Sequence, residues 1–416
     1  MKEARVIAGV MFCVMLAPLA ICWGLWAFFA VMALLPGGRR RSIAGGAQAK
    51  EGMPIDILIP AHDEELLLPR LLESLAGQTE AGGRRRGRVL VVADHCGDRT
   101  AALARERGAE VLERRSGPRG KPAALRDGLA VLAAGADRAV LILDADCTVS
   151  ANMLEAVGAA LDRGHVAAQA AYVLDAARRE GGGVGQRLHT PAVIAFGLKN
   201  LIRPKGMARV GVPTQLFGTG MCFRGDVLGR ISFADHLTED LKISHDLLLA
   251  GVKPAFVAEA VVRSPLPEDR GAMSTQKLRW ETGQIETWRR VPGMMLRLLM
   301  RGRLRSVVAL MDWSSPPVAM AVGGWVVLAV AAGGLIMLGL SGWWILVPLC
   351  VTLCFLATYV MLGALEIGGP AGAVSLGVAV PRFFVWKMAL YGRMLTGRGA
   401  KTWDRTPRSV AREGES

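Results

Sequence analysis

Two long runs without a single charged side chain constrain this chain more than any other feature. One extends from Val6 to Gly38 and the other from Trp313 to Leu365, although charged residues make up 21% of the 416 residues overall. A helix needs about 20 apolar residues to cross a bilayer, because inside hydrocarbon its backbone groups must be satisfied within the segment. The first run predicts one membrane helix. The second predicts two, broken near Ser341 and Gly342 and carrying the interfacial pair Trp343 and Trp344. The first run is too long for the apolar part of a signal peptide and lacks a small-x-small cleavage site, so it reads as an anchor. No charged residue interrupts either run, as a substrate pathway through a membrane bundle would require, which argues against a transporter.

Net charge is +14, a balance that could point to nucleic acid. The basic residues instead crowd beside the apolar runs: Arg39, Arg40 and Arg41, then Arg297, Arg301, Arg303 and Arg305, then Lys401 to Arg412. Lys and Arg flanking spans mark the cytoplasmic side and attract anionic lipid head groups. No basic patch interleaved with aromatics is present, so no nucleic-acid partner is expected. The chain then divides into an N-terminal membrane helix (1–38), a cytoplasmic domain (39–290), an interfacial segment (291–312), two membrane helices (313–365), and an interfacial amphipathic helix with a basic cytoplasmic tail (366–416). The amphipathic helix falls on Pro381–Met394, where Arg382, Lys387 and Arg393 interrupt an apolar stretch. Of the seven cysteines, Cys13, Cys22, Cys350 and Cys354 lie in the apolar runs, and Cys96, Cys147 and Cys222 are isolated. That spacing predicts reduced, structural thiols and no zinc site.

Within the cytoplasmic part, short apolar runs at Ile55–Ile59, Val89–Ala93, Ala109–Leu112 and Ala139–Leu143 alternate with helical patterns at Glu65–Ala76, Arg99–Arg107 and Pro122–Ala134. Such alternation predicts an α/β domain with a parallel sheet covered on both faces. Ligands of such sheets bind beyond the carboxyl ends of the strands. Three of the four runs end in acids: PAHDEE, ADHCGDRT and DADC. Gathered in one crevice, these carboxylates repel unless a cation or hydrogen-bond donors offset them. Asp144 and Asp146 at the fourth run are a candidate metal pair, although an acidic turn after a strand has the same appearance.

Other segments supply opposite charge and flexibility. Lys121 in RRSGPRGKPAAL stands where a glycine-rich loop enters a helix, a place suited to a phosphate, although a solvated surface loop reads the same way. Neither GxxxxGK[ST] nor GxGxxG occurs. The stretch FGTGMCFRGDVL reads as a strand preceded by Gly218, Thr219 and Gly220, which allow close backbone approach to a ligand. Glu239 and Asp240 follow Thr238, a pattern that also suits an ordinary helix N-terminus. Gln276, Arg279 and Trp280 fall on one helical face.

In this order and spacing, the motifs resemble the membrane-bound branch of glycosyltransferase family 2. That branch has a GT-A (Rossmann-like) fold and includes cellulose, chitin, hyaluronan and poly-N-acetylglucosamine synthases and exopolysaccharide transferases. The resemblance covers about residues 53–290. It implies that Ala61, Asp63 and Glu64 line the nucleotide site, with Asp63 where Asn is usual, and that Asp94 bonds the base. It places Lys121 near the diphosphate, with Asp144 near the ribose or metal and Asp146 on Mg2+ or Mn2+. Gly218, Thr219 and Gly220 become the acceptor-side loop, and Asp240, beside Glu239, the general base. Gln276, Arg279 and Trp280 match Q-x-x-R-W, at the acceptor and the leaving diphosphate.

The implied activity is inverting transfer from a nucleotide-diphosphate sugar, expected to be a UDP-sugar, to a lipid-linked or glycan acceptor. It would serve surface-polysaccharide assembly at the inner (cytoplasmic) membrane, beside other assembly proteins. The sequence departs from the processive synthases: it lacks a Phe-x-Val-Thr gating loop and ends too soon for a PilZ-type domain, and three spans are few for a channel. Single addition is therefore the first expectation, processive β-polysaccharide synthesis the second, and a non-catalytic nucleotide-sugar-binding scaffold the third.

Overall fold

The protein is described here from a computed structural model covering residues 2–36, 52–78, 86–175, 191–231, 233, 238–265 and 280–395. The N-terminal apolar run forms one helix, α1 (Lys2–Leu34). The cytoplasmic part then opens with β1 (Ile55–Ala61), α2 (Leu68–Ala76), β2 (Arg86–Asp94), α3 (Thr100–Glu106), β3 (Glu110–Arg114), α4 (Lys121–Leu132) and β4 (Ala139–Ile142). These strands pair in parallel in the order β3-β2-β1-β4, as the alternation of apolar runs predicts. Both faces of β1 are covered: Ile55, Ile57 and Ile59 pack with Leu68, Leu71 and Leu75 of α2, while Leu58 packs with Leu125 and Leu132 of α4. A strand buried on both sides has no polar alternation, which is why these runs are continuously apolar.

The rest of the sheet departs from the parallel expectation. It adds β5 (Thr148–Val149), β6 (Ala167–Asp175), β7 (Met221–Arg224) and β8 (Ala255–Pro265), giving eight strands in the order β3-β2-β1-β4-β7-β6-β8-β5. β7 is antiparallel to both β4 and β6, so the sheet is mixed. The pairing of Ile142 with Met221 sets the start of β7 beside the end of β4. The loop entering β7, with Gly218, Thr219 and Gly220, therefore adjoins the acids that follow β4. Helix α5 (Met153–Asp162) covers one face.

The sheet meets the apolar helices through a bent segment: α6 (Pro191–Gly197), a π-turn over Leu198–Ile202, and α7 (Arg203–Arg209). Helix α8 (Glu239–Ala250), a helix over 280–287, α9 (Val291–Met300) and α10 (Leu304–Trp313) precede α11 (Val318–Met337) and α12 (Leu346–Leu395). α12 is interrupted at Gly369, whose φ of 62° is left-handed. Among the described residues, three helical stretches are long and apolar enough to cross a membrane: Lys2–Leu34, Val318–Met337 and Trp343–Val374. Trp23, Trp26 and Ala30 of α1 pack with Ile194, Leu198 and Ile202 of the bent segment and with Leu356 and Tyr359 of α12.

Two details fix α7 against α1. Arg209 donates to the carbonyls of Met32 (2.6 Å) and Leu35, satisfying acceptors that the end of α1 leaves open. Gly206 lets the backbones touch, since a Cβ there would stand 2.9 Å from Phe29 Cα and closer still to its carbonyl. Gly206→Ala is expected to push α7 off α1 and cost about 1–3 kcal/mol. Thermal unfolding of the solubilised protein reads this as a lowered Tm, and an unchanged Tm would show that the contact bears no load.

Candidate active site

The loops after β1 and β2 are bound to each other. Asp63 (φ 52°) and His95 (φ 53°) both adopt left-handed backbone, a region where Asn, Asp and His are the tolerated side chains. Gly97 N–H donates to Asp63 Oδ1 (2.7 Å), Glu64 N–H to Thr100 Oγ1 (2.7 Å), and Glu65 N–H to Asp98 Oδ2 (3.1 Å). These bonds hold the mouth of the sheet where Ala61, Asp63 and Glu64 were expected to meet a nucleotide. His62, Asp63 and Cys96 also bring ligand atoms together. Burial pushes the Cys96 thiol up to about 11, so it stays protonated and is a poor metal ligand.

Asp94 ends β2 and is 4% exposed. Its Oδ1 lies 2.8 Å from His95 Nδ1 and accepts from Arg114, while Oδ2 accepts from Gly120 N–H at 2.8 Å. Arg114 continues to Asp127 (2.6 Å) and the Pro118 carbonyl (2.9 Å). Asp94 and Arg114 thus tie β2, β3 and the Lys121 loop into one unit. A carboxylate offers about four acceptor positions; with three used, one on Oδ2 is left for a base N–H. Arg114 escaped the sequence reading because an arginine in RRSGPRGK looks like one more solvated charge.

Lys121 is the first residue of α4, after Gly120, with Pro122 in the first turn. A cation at a helix N-terminus opposes the helix dipole, so partners must hold it. Its Nζ lies 2.5 Å from Asp144 Oδ1 and 3.7 Å from Glu239 Oε1, and donates to the Gly218 carbonyl at 3.0 Å. Burial alone would pull its pKa down, but Asp144, Glu239 and Asp240 more than offset that and hold it above the ordinary lysine value.

The expected acceptor-side loop is built into this arrangement. Gly218 (φ 82°) and Gly220 (φ 68°) are both left-handed. A Cβ at Gly218 would lie 3.5 Å from Lys121 Nζ and 3.6 Å from Asp240 Oδ2. Thr219 is fully buried; its hydroxyl accepts from Asp144 N–H (3.0 Å) and its carbonyl from Gln169 (2.8 Å). The loop therefore positions the carboxylates after β4 through the backbone of Asp144.

Asp240 lies in the first turn of α8, which Thr238 precedes without a side-chain capping bond. Leu241 N–H donates to its Oδ1 at 2.8 Å. Burial first, and the Glu239 charge second, push its carboxyl up to about 6, against the opposing pull of Lys121 and Lys199. A carboxylate tuned towards neutrality in a polar cleft has the properties of a general base.

Asp144, Asp146 and Cys147 bring ligand atoms within 4.8 Å of one another. Burial pushes the Cys147 thiol up to about 12, and its sulfur sits 3.1 Å from Ser264 Oγ. Two carboxylates beside a neutral thiol form an oxygen donor set, which fits a hard divalent cation such as Mg2+ or Mn2+ rather than zinc.

Trp280 stacks obliquely with Phe196 at 6.2 Å, and Phe196 meets Tyr172 edge-on at 4.9 Å. Gln276 and Arg279 lie outside the described residues. The structure thus brings Lys121, Asp144, Gly218, Thr219, Glu239 and Asp240 together, with Asp146 beside Asp144. Asp94 joins them through Gly120 and the neighbouring Lys121.

Known proteins share parts of this architecture. A segment 40% identical over 75 residues, 17% of this chain, occurs in the 4,4'-diaponeurosporenoate glycosyltransferase of Staphylococcus haemolyticus (strain JCSC1435), and the chain spans 19% of that relative's length. Among solved structures, the mannosyltransferase PcManGT of Pyrobaculum calidifontis, in complex with GDP-Man and Mn2+, is 15% identical with a TM-score of 0.49, covering 86% of this chain and 98% of its own. Glucosyl-3-phosphoglycerate synthase of Mycobacterium tuberculosis, with Mn2+, UDP and phosphoglyceric acid, is 19% identical with a TM-score of 0.40, covering 57% of this chain and 78% of its own. Residues 53–283 match the model of the family described as "Glycosyltransferase like family 2"; these residues are more than half of the chain and contain the mixed sheet and its acidic crevice, so the chain belongs to that family and has its GT-A fold.

Proposed function

We propose that this protein is a membrane-embedded inverting glycosyltransferase that moves a sugar from a nucleotide-diphosphate sugar, a UDP-sugar being the first expectation, to an acceptor hydroxyl presented at the membrane. Its catalytic domain would face the cytoplasm at the cytoplasmic membrane, on the side that the basic flanks of the apolar helices favour, in surface-polysaccharide assembly. The carrying observation is the convergence of Lys121, Asp144 and Asp240 on the Gly218–Gly220 loop.

In this reading the acceptor hydroxyl gives its proton to Asp240 and bonds to the anomeric carbon. The anomeric C–O bond to the diphosphate breaks, and its electron pair leaves with the nucleotide diphosphate. One attack from the face opposite the leaving group inverts configuration. Lys121 holds the diphosphate, and Thr219 fixes Asp144 through its backbone. A divalent cation held by Asp144 and Asp146 would offset charge developing on the leaving group. Trp280 and Phe196 would wall the acceptor side.

The test incubates purified full-length protein with radiolabelled nucleotide sugars, Mn2+ or Mg2+, and membrane lipid extract, and sizes the products. One-sugar lipid products are expected; a polymer would replace single addition by processive synthesis. Absence of nucleotide-diphosphate release from every donor would overturn the enzyme reading. Chelation is expected to abolish transfer. Asp146→Asn should raise the metal concentration giving half-maximal rate by about 10–100-fold or more, the loss that even changes behind the ligands produce. A wild-type metal titration in Asp146→Asn would remove Asp146 from the metal site.

A further inference from the structure

The chemistry proposed above gives Cys147 no role, yet its thiol is the meeting point of a buried polar chain. Cys147 N–H donates to the Asp144 carbonyl at 3.2 Å, closing the turn that carries both acids. Its Sγ donates to Asp146 Oδ1 at 3.4 Å and lies 3.1 Å from Ser264 Oγ and 3.7 Å from Thr219 Oγ1. Tyr172 O–H donates to Ser264 Oγ at 3.1 Å. Cys147, Tyr172, Thr219 and Ser264 are all buried. The sheet sets this up. Thr148 pairs with Arg263 across the antiparallel β5–β8 ladder, which brings Cys147 opposite Ser264. Tyr172 of β6 pairs with Val262, two residues from Ser264 and so on the same face of β8.

The donors along this chain have a forced direction. A carboxylate that holds a cation is ionised and only accepts, while a thiol and a hydroxyl each carry one proton. With the Cys147 S–H given to Asp146, the protons that reach the sulfur come from Ser264 and Thr219, and Tyr172 supplies Ser264 in turn. Thr219 also accepts from Asp144 N–H. The same set therefore holds Asp144 by its backbone and Asp146 by its side chain. Donors aligned head to tail polarise one another in a low-dielectric interior. As mere packing the arrangement is costly, because apolar residues of similar size would fill the space without needing partners.

We infer that Cys147 is a positioning residue of the metal site, holding the Asp146 carboxylate in place through a relay that Ser264 and Tyr172 complete. This rests on the transferase reading and its divalent cation, and adds the side chains that set one of the cation's acids. The thiol acts through Asp146 and is not itself a ligand, and no bond to it forms or breaks. Tyr172 stands between the two halves of the site. Its hydroxyl feeds the metal turn, and its ring lies edge-on to Phe196, 4.9 Å away, in the wall proposed for the acceptor.

The test reads Mn2+ binding without turnover. Full-length protein in neutral-detergent micelles is titrated with Mn2+, alone and with UDP or GDP. Free Mn2+ is followed by its EPR signal against blanks of nucleotide without protein. Cys147→Ala is expected to weaken Mn2+ binding about 10-fold, the lower end of what removing a partner behind a ligand costs. Cys147→Ser keeps a donor in place and should recover most of that loss. Tyr172→Phe keeps the ring against Phe196 and removes only the hydroxyl; a loss of about 2–5-fold is expected, the worth of a weak neutral hydrogen bond. That mild change keeps the relay testable should Cys147→Ala not fold. Cys222→Ala removes an equally buried thiol from the same sheet and should leave Mn2+ binding unchanged.

Wild-type Mn2+ binding in Cys147→Ala and Tyr172→Phe, or an equal loss in Cys222→Ala, would reduce the thiol to packing and overturn the inference. A parallel Cd2+ titration asks whether sulfur binds the metal itself. A Cd2+ loss in Cys147→Ala far larger than the Mn2+ loss, with no recovery in Cys147→Ser, would make Cys147 a ligand and overturn its positioning role. A wild type that binds no Mn2+, with or without nucleotide, would sink the metal site and this relay with it. Nucleotide-diphosphate release in the product assay decides the transferase reading separately.

Discussion

Asp240→Asn is expected to lower sugar transfer about 10²–10⁴-fold, the usual contribution of a positioned general base, with nucleotide-diphosphate and metal binding close to wild type. The amide keeps the shape of the carboxylate and can still accept from Leu241 N–H, but it cannot take the proton of an attacking hydroxyl. The wild-type pH profile supplies an independent mark. Asp240 must be unprotonated to act, and its carboxyl is pushed up to about 6 by burial and by Glu239. Activity should therefore fall as pH drops through about 6 and level off above it. Asp240→Asn should lose this acidic limb along with the rate. Glu239→Gln removes the like charge that helps raise Asp240, so its limb should move to lower pH. Near-wild-type transfer by Asp240→Asn, or an unmoved limb in Glu239→Gln, would show that another group takes the proton.

The acidic half of this site is legible in the sequence for a physical reason. Strands buried on both faces are continuously apolar, so Asp94, Asp144 and Asp146 stand out as abrupt acids at the ends of such runs. The glycines before β7 are legible because left-handed backbone selects for them. What links these parts is not. The antiparallel insertion of β7 between β4 and β6 follows from long-range pairing, and no local pattern of MCFR states its direction. Arg114 is buried, yet it sits in a segment that also reads as solvated charge. The sequence predicts a span after Trp343 and a separate amphipathic helix at Pro381–Met394, but not that helix resumes directly after the break at Gly369 and runs on to Leu395, because hydropathy reports burial in lipid rather than the end of helical hydrogen bonding. In each case, the missing information is which distant residue supplies the partner.

The joint between the catalytic domain and the apolar helices yields the other large effect. Arg203 and Asp312 pair at 3.3 Å with both side chains nearly buried, and the Arg203 guanidinium lies 4.9 Å above the Trp26 ring of α1. The pair is imperfectly satisfied: Arg203 Nε and Asp312 Oδ1 have no hydrogen-bond partner among the described residues. Burial pushes the Asp312 carboxyl above its ordinary value even with Arg203 beside it, so desolvation outweighs the attraction of its partner. Breaking such a pair from one side leaves an uncompensated buried charge, whereas replacing both members with apolar groups removes the penalty. Arg203→Met is therefore expected to destabilise by about 3–5 kcal/mol, a drop in Tm of roughly 5–10 °C. The double variant Arg203→Met with Asp312→Leu should match or exceed the wild type. Scanning calorimetry of the solubilised protein reads both Tm values. If the double variant is as unstable as Arg203→Met, the pair is a net contributor to stability and its charges are not the strained element. If stability recovers while transfer falls, the ion pair is kept for the angle at which α7 packs against α1. That is the outcome expected from a polar contact held in an otherwise apolar seam.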